Sequence, residues 1–237
     1  MKRDSEGLAA ASGVVAEVSD HRILTKIGEG GYGEVWLAQN RATPEVYRAV
    51  KVLYRRDLGG ARPYETEFEG IRSFEPVSRQ HEGLMQVLHV ARDEEDAYFY
   101  YVTELADDQA TGQDIDPGRY TPKTLRSELK RRGRLPFAVS LEIGLAVAGG
   151  LSYLHQKGLV HRDIKPSNIV FVGGKPKLAD AGLVTVPKKK SSSLGTAGYV
   201  APEGSGAGCR CAPKARCAGR RAQDKMHFAC VRRSRQA

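Results

Sequence analysis

The stretch HRDIKPSN, residues 161–168, sets an imidazole, a guanidinium, a carboxylate, an ammonium and an amide close together. Such a mixture is costly to hold in one place unless the groups serve one another or a ligand. Twelve residues beyond Asn168 comes Asp180, followed by Ala181 and Gly182. Asn168 and Asp180 both offer oxygen donors, which suit Mg²⁺ bound beside phosphate. Upstream, Gly28-x-Gly30-x-x-Gly33 would let backbone N–H groups approach phosphate oxygens with no side chain in the way. Alone this is a weak signal, because glycine turns commonly join strands. Eighteen residues past Gly33, Lys51 lies in the apolar run AVKVLY. A lysine there usually packs its stem and sends its head to water. A hairpin beginning at the glycine turn would nevertheless return Lys51 beneath that turn, where it could hold phosphates. A cation so placed needs a carboxylate. Glu67 is favoured, since Ile71 and Phe74 at i+4 and i+7 turn its helix face inward; Glu69 and Glu65 compete.

These groups need elements to carry them. HRILTKIGEGGYGEVWLAQN reads as two short strands around the glycine turn, and EVYRAVKVLY as a third. A strand after the third glycine excludes the dinucleotide-binding unit, which requires a helix there. PYETEFEGIRSFEPV spaces Phe68, Ile71 and Phe74 as a helix face, and Pro76 is expected to end or bend it. LMQVLHV and AYFYYVTEL read as strands, and TPKTLRSELKRRGRLP as a short basic helix. FAVSLEIGLAVAGGLSYLHQKG repeats apolar residues at Phe137, Leu141, Leu145, Ala148, Leu151 and Leu154, as a buried helix would. Its Gly144, Gly149 and Gly150 each cost about 1 kcal/mol against alanine, so close packing is expected to compensate. IVFV, the turn GG and KPKLA make a hairpin. A strand-rich first part precedes a helical second part, which predicts two lobes with a cleft between them.

Composition bounds the rest. The formal net charge is +9, yet nine of the 37 Lys and Arg, and one of the 28 Asp and Glu, lie beyond Glu203. The body is therefore close to neutral, and the basicity belongs to the tail. A chain of 237 residues is long enough to bury a sizeable core. No stretch approaches the roughly 18–20 uninterrupted apolar residues of a membrane span. Glu6, Ser12 and Glu17 break up the opening residues, which argues against a secretory signal. All four cysteines, Cys209, Cys211, Cys217 and Cys230, lie in the tail. A cysteine-free body fits a reducing compartment, so the expected location is cytoplasmic.

Taken in order, GxGxxGxV, AVK, a helix glutamate, HRDxKxxN, DxG and APE resemble the eukaryotic-type serine/threonine protein kinases, which bacteria also have. The resemblance covers about residues 20–203. It implies an α+β, protein-kinase-like two-lobe fold, with a β-rich N-lobe and a helical C-lobe that is incomplete. It also implies ATP and Mg²⁺ as cofactors and a protein substrate with a serine or threonine acceptor. Gly28, Gly30 and Gly33 would cover the ATP phosphates, with Val35 and Ala49 against the adenine. Lys51 would contact the α- and β-phosphates and pair with Glu67. Asp163 would orient or accept the substrate hydroxyl proton, Lys165 would neutralise the transferring phosphoryl group, and Asn168 and Asp180 would hold metal. Thr103 aligns behind the adenine pocket, and Glu104 to Ala106 with the linker whose backbone would bond the base. Lys165 two residues after Asp163, and Gly195-Thr196 before the APE, match serine/threonine rather than tyrosine kinases. Ser191, Ser192 and Ser193 are candidate activation-loop phosphosites.

Two departures stand out. Ala181 occupies the place of a usual phenylalanine, whose loss forfeits contacts worth about 3–5 kcal/mol in a typical core. After Glu203, SGAGCRCAPKARCAGRRAQDKMHFACVRRSRQA has no helical apolar period. Its C-x-C spacing is not that of a zinc knuckle, and its charge would give only non-specific nucleic-acid contact. The expected organisation is a polar segment 1–19, an N-lobe 20–104, a partial C-lobe 105–203, and a disordered or aberrant tail 204–237, such as a shifted frame or truncated gene would leave. The competing function is an impaired nucleotide-binding pseudokinase or scaffold.

Overall fold

The computed structural model describes residues 18–30, 33–58, 60–93, 95, 97–180, 196 and 199. Five antiparallel strands form the first lobe: β1 (His21–Gly30), β2 (Gly33–Asn40), β3 (Tyr47–Tyr54), β4 (Val87–Asp93) and β5 (Tyr98–Thr103), in the order β1-β2-β3-β5-β4. Alternation along the strands gives the sheet two apolar faces. Val50, Val52, Tyr98, Tyr100 and Val102 form one cluster with Val18 and Ala38. Leu53, Phe99 and Tyr101 point the other way, into the main core.

Helix α1 (Ala61–Ser78) covers that second face with Tyr64, Ile71 and Phe74. Phe99 meets Tyr64 and Phe68 at ring-centroid distances of 5.2 and 5.3 Å. Pro76 does not stop the helix ahead of itself. It sits in the last turn, and the helix ends two residues later. There the Ser78 hydroxyl donates to the Glu75 carbonyl at 2.7 Å and accepts the Val87 N–H at 2.9 Å, tying α1 to β4.

The second part contributes α2 (Leu125–Arg132), α3 (Phe137–Gln156), a single 3₁₀ turn at Pro166–Asn168, and the hairpin β6 (Ile169–Val172) and β7 (Lys175–Leu178). Thr124 caps α2 through a reciprocal bond with Ser127, 3.0 Å in each direction. Gly173 and Gly174 take positive φ in the hairpin turn. Their N–H groups both donate to the Asp107 carboxylate at 2.8 Å, joining the turn to the segment after β5.

The expected face of α3 holds at its end, where Leu154 is buried and Leu151 packs against the core, and is corrected over its first three turns. Ile143, Val147, Gly150 and Leu154 are buried, whereas Phe137 is 82% and Leu145 65% exposed, and Leu141 is exposed as well. This helix is apolar nearly all round, so its periodicity does not select a side. It is the one described helix with the length and composition to cross a membrane, but its buried face packs on β7, the Gly83 backbone and the Leu84 side chain. Of its glycines, Gly150 makes the close approach: a Cβ there would lie 3.1 Å from the Gly83 carbonyl oxygen, while none would meet anything at Gly144. Residues 204–237 and the Ser191–Ser193 candidates lie outside the described residues.

Candidate active site

The glycine pattern lies on β1 and β2, with Gly28 opposite Val35 and Gly30 opposite Gly33. Gly33 is required by a close approach: a Cβ there would stand 2.4 Å from the Val52 carbonyl oxygen. Val35 in turn is opposite Lys51 on β3, and Lys51 is opposite Tyr101 on β5. Ala49 is opposite Thr103, so the adenine-side candidates share one stretch of sheet. The register does place Lys51 beside the glycine-bearing strands.

Glu67 is the α1 glutamate that faces inward, 7% exposed. Glu69 is exposed, and Glu65 is engaged by Arg92 at 2.7 and 2.9 Å. The expected Lys51–Glu67 ion pair, however, is not made. The Lys51 ammonium bonds the Asp180 carboxylate instead, and the Glu67 Oε1 atom is buried without a hydrogen-bond partner among the described residues. Burial pushes the Glu67 carboxyl up to about 8, the nearby Lys51 charge offsetting only part of that. Burial also disfavours the Lys51 ammonium, but Asp180 outweighs it and the net shift is upward. Asp180 is held below the usual carboxylate range, Lys51 more than compensating for its burial.

Residues 161–168 form one connected cluster. His161 is buried, its Nε2 3.1 Å from the Ala179 carbonyl, and burial lowers its pKa, favouring the neutral ring. Arg162 turns through a positive φ of 66°, which delivers Asp163 to the cluster. The Asp163 carboxylate accepts from Asn168 Nδ2 at 2.9 Å and pairs with Lys165 Nζ at 2.7 Å. It also accepts the Thr196 hydroxyl at 2.6 Å, and Lys165 donates to the same hydroxyl oxygen at 2.9 Å. Burial works against the Asp163 charge, but Lys165, Thr196 and Asn168 outweigh it and hold its pKa below the ordinary value. Asn168 and Asp180 are joined through the backbone, the Ala179 N–H donating to the Asn168 carbonyl at 2.7 Å. An amide and a carboxylate are few ligands for a cation. That fits Mg²⁺, which keeps waters and phosphate oxygens in its shell.

Between the lobes, the Thr103 hydroxyl donates to the Glu104 carbonyl at 2.9 Å. The Glu104 side chain accepts from the Gln86 N–H at 2.8 Å and from Lys177 Nζ at 2.7 Å. The Ala106 carbonyl accepts the Tyr120 hydroxyl at 2.9 Å. Lys177, Tyr120 and Tyr101 escaped the sequence reading. Their partners lie far along the chain or in an uncharacteristic loop, and no local spacing announces them.

Residues 21–208 match the protein kinase domain family, and the chain belongs to it. It is similar to Serine/threonine-protein kinase TOS3 of Saccharomyces cerevisiae, 30% identical over 206 residues, which cover 78% of this chain and 35% of that protein. It is also similar to Serine/threonine-protein kinases drp72 of Corynebacterium efficiens, at 32% over 200 residues, 78% of this chain and 34% of the relative. Calcium/calmodulin-dependent protein kinase type 1 of Macrobrachium nipponense is 28% identical over 210 residues, covering 81% and 52%. The chain thus spans about a third to a half of the length of these relatives.

Proposed function

We propose that this domain transfers the γ-phosphoryl group of ATP to serine or threonine hydroxyls of proteins. The observation that carries the reading is the Asp163 carboxylate holding a hydroxyl, that of Thr196, with the Lys165 ammonium on both groups. A carboxylate so placed can orient an acceptor hydroxyl and take its proton. A neighbouring ammonium can balance charge on the transferring group. Lys51 would leave Asp180 for the α- and β-phosphates and take Glu67 as its carboxylate. Asn168 and Asp180 would hold Mg²⁺, which when bound supplies positive charge beside the phosphates. Gly28, Gly30 and Gly33 would lie over the nucleotide, and the Glu104–Ala106 backbone would bond the base. The relatives' printed names support serine/threonine acceptors, as does Lys165 two residues past Asp163. The cysteine-free stretch up to Glu203 supports a cytoplasmic setting.

One observation favours a second reading, a nucleotide binder without transfer: Lys51 and Asp180 engage each other, and the Glu67 Oε1 atom has no partner among the described residues. Thermal melting and radiolabelled transfer to a generic basic protein separate the two. The kinase reading expects ATP with Mg²⁺ to raise the melting temperature, Lys51→Met to weaken that shift, and Asp163→Asn to keep the shift while abolishing transfer. A shift without transfer in the unaltered protein selects the second reading. No shift in folded protein excludes both. Phosphotyrosine as the main product, by mass spectrometry, would overturn the acceptor assignment.

A further inference from the structure

Tyr101 has no role in the reading above, yet it sits at the centre of the site. It is directly opposite Lys51 across β3 and β5, and the Lys51 ammonium lies 6.0 Å from its ring centroid. Its ring belongs to the core face that α1 covers, together with Leu53, Phe99, Tyr64, Ile71 and Phe74. The residue is 4% exposed, and its buried hydroxyl makes no hydrogen bond of ordinary geometry among the described residues, although the Lys51 ammonium comes close enough to interact with it. Glu67 is a buried residue of α1, the helix that covers this face, and its Oε1 atom is another without a hydrogen-bond partner among the described residues. The charges of Lys51, Asp180 and Glu67 all act on the phenol. A sheet position that needed only bulk would be served by phenylalanine, as at Phe99 two residues earlier.

A phenol is a donor, a carboxylate an acceptor, and burial of either alone is unfavourable. Burial holds the Tyr101 hydroxyl protonated, its pKa raised above the ordinary phenol value. Glu67 has two oxygens, so it can take an ammonium on one and a phenol on the other. In the arrangement described here it has neither, because Lys51 is committed to Asp180. Resting on the nucleotide reading above, we infer that Tyr101 is a positioning residue. When Lys51 leaves Asp180 for the nucleotide phosphates, the Tyr101 hydroxyl donates to Glu67, fixing the carboxylate that in turn fixes Lys51. Two orphaned polar atoms become each other's partner, and that gain favours the nucleotide-loaded arrangement over the empty one.

The test is Tyr101→Phe, which deletes the hydroxyl and keeps the ring. Melting temperature is read with no nucleotide and with saturating ATP and Mg²⁺, and ATP affinity is read by titration. In the empty protein the variant should melt at or above the unaltered protein, because an orphan is removed. With nucleotide its upward shift should shrink by more than half, and ATP should bind about ten- to a hundredfold more weakly, as loss of one buried bond to a charged group predicts. Glu67→Met, which offers the phenol no oxygen acceptor, combined with Tyr101→Phe should lose no more affinity than Glu67→Met alone. A residue that merely packs would change both melting temperatures alike. A lower melting temperature in the empty variant overturns the inference, as does an unchanged nucleotide shift or an additive double variant. Absence of any shift in the unaltered protein is a different result. It removes the nucleotide reading, while the empty-state comparison still reports on the hydroxyl.

Discussion

Lys177 on β7 and Glu104, the first residue after β5, form an ion pair of 2.7 Å in which both side chains are almost out of water. Lys177 precedes Asp180 by three residues, so the pair fastens the linker between the lobes to the strand that leads to Asp180. Removing one member strands the other charge. Lys177→Met should therefore cost about 3–5 kcal/mol in denaturant unfolding. Adding Glu104→Gln should recover most of it.

Glu67 predicts a pH dependence of stability. Burial raises its folded pKa to about 8, above the ordinary carboxyl value of 4.5, so the folded state binds the proton more tightly. Stability is then greatest at low pH as far as this group is concerned. It is lost as pH rises from about 4.5 to about 8, by roughly 1.4 kcal/mol per unit. Glu67→Gln cannot titrate, so its stability advantage over the unaltered protein should grow across that window. A gap that stays constant between pH 5 and pH 8 would contradict the burial of an unpaired carboxyl.

Two glycines of α3 should respond with opposite sign. Gly144→Ala meets no atom and should stabilise by about 1 kcal/mol through helix propensity. Gly150→Ala must push on the Gly83 carbonyl, which is already fixed by the Leu178 N–H at 2.8 Å. Overpacking should outweigh propensity there, for a net loss of about 1 kcal/mol. Thermal or denaturant unfolding of the two variants checks both.

Thr196 should matter through its hydroxyl. Thr196→Val keeps the shape but removes the bonds to Asp163 and Lys165. Turnover should fall about ten- to hundredfold, the loss of a bond between charged groups and their shared partner. Thr196→Ser should retain most of it, and the KM for ATP should move little in either. Equal losses in both variants would show that the methyl group, not the hydroxyl, is what counts.

Much of this was legible because the chemistry is local in sequence. HRDIKPSN carries its own cluster, the GG turn its own hairpin, and the Val–Lys–Val alternation of β3 the side on which Lys51 emerges. Glu67 could be preferred over Glu65 and Glu69 because Ile71 and Phe74 fix the helix face. What Lys51 would bond was not legible, since Asp180 is 129 residues away and competes with Glu67 on equal chemical terms. Lys177 and Glu104 are 73 residues apart and each reads as an ordinary charged residue. The α3 face was misread for the opposite reason: Leu141 and Leu145 are as apolar as Ile143 and Val147, and only the neighbouring β7 decides between them.

The Lys51–Asp180 bond has a consequence for the order of assembly. On the proposed reading an internal cation already occupies the carboxylate that would receive the metal, so free Mg²⁺ would compete with a tethered ammonium for one ligand. Nucleotide phosphates would resolve the competition by giving that ammonium somewhere else to go. Metal and nucleotide should therefore bind with positive linkage, each raising the affinity of the other by the same factor. The ion pair then acts as an interlock, in which neither key turns without its companion.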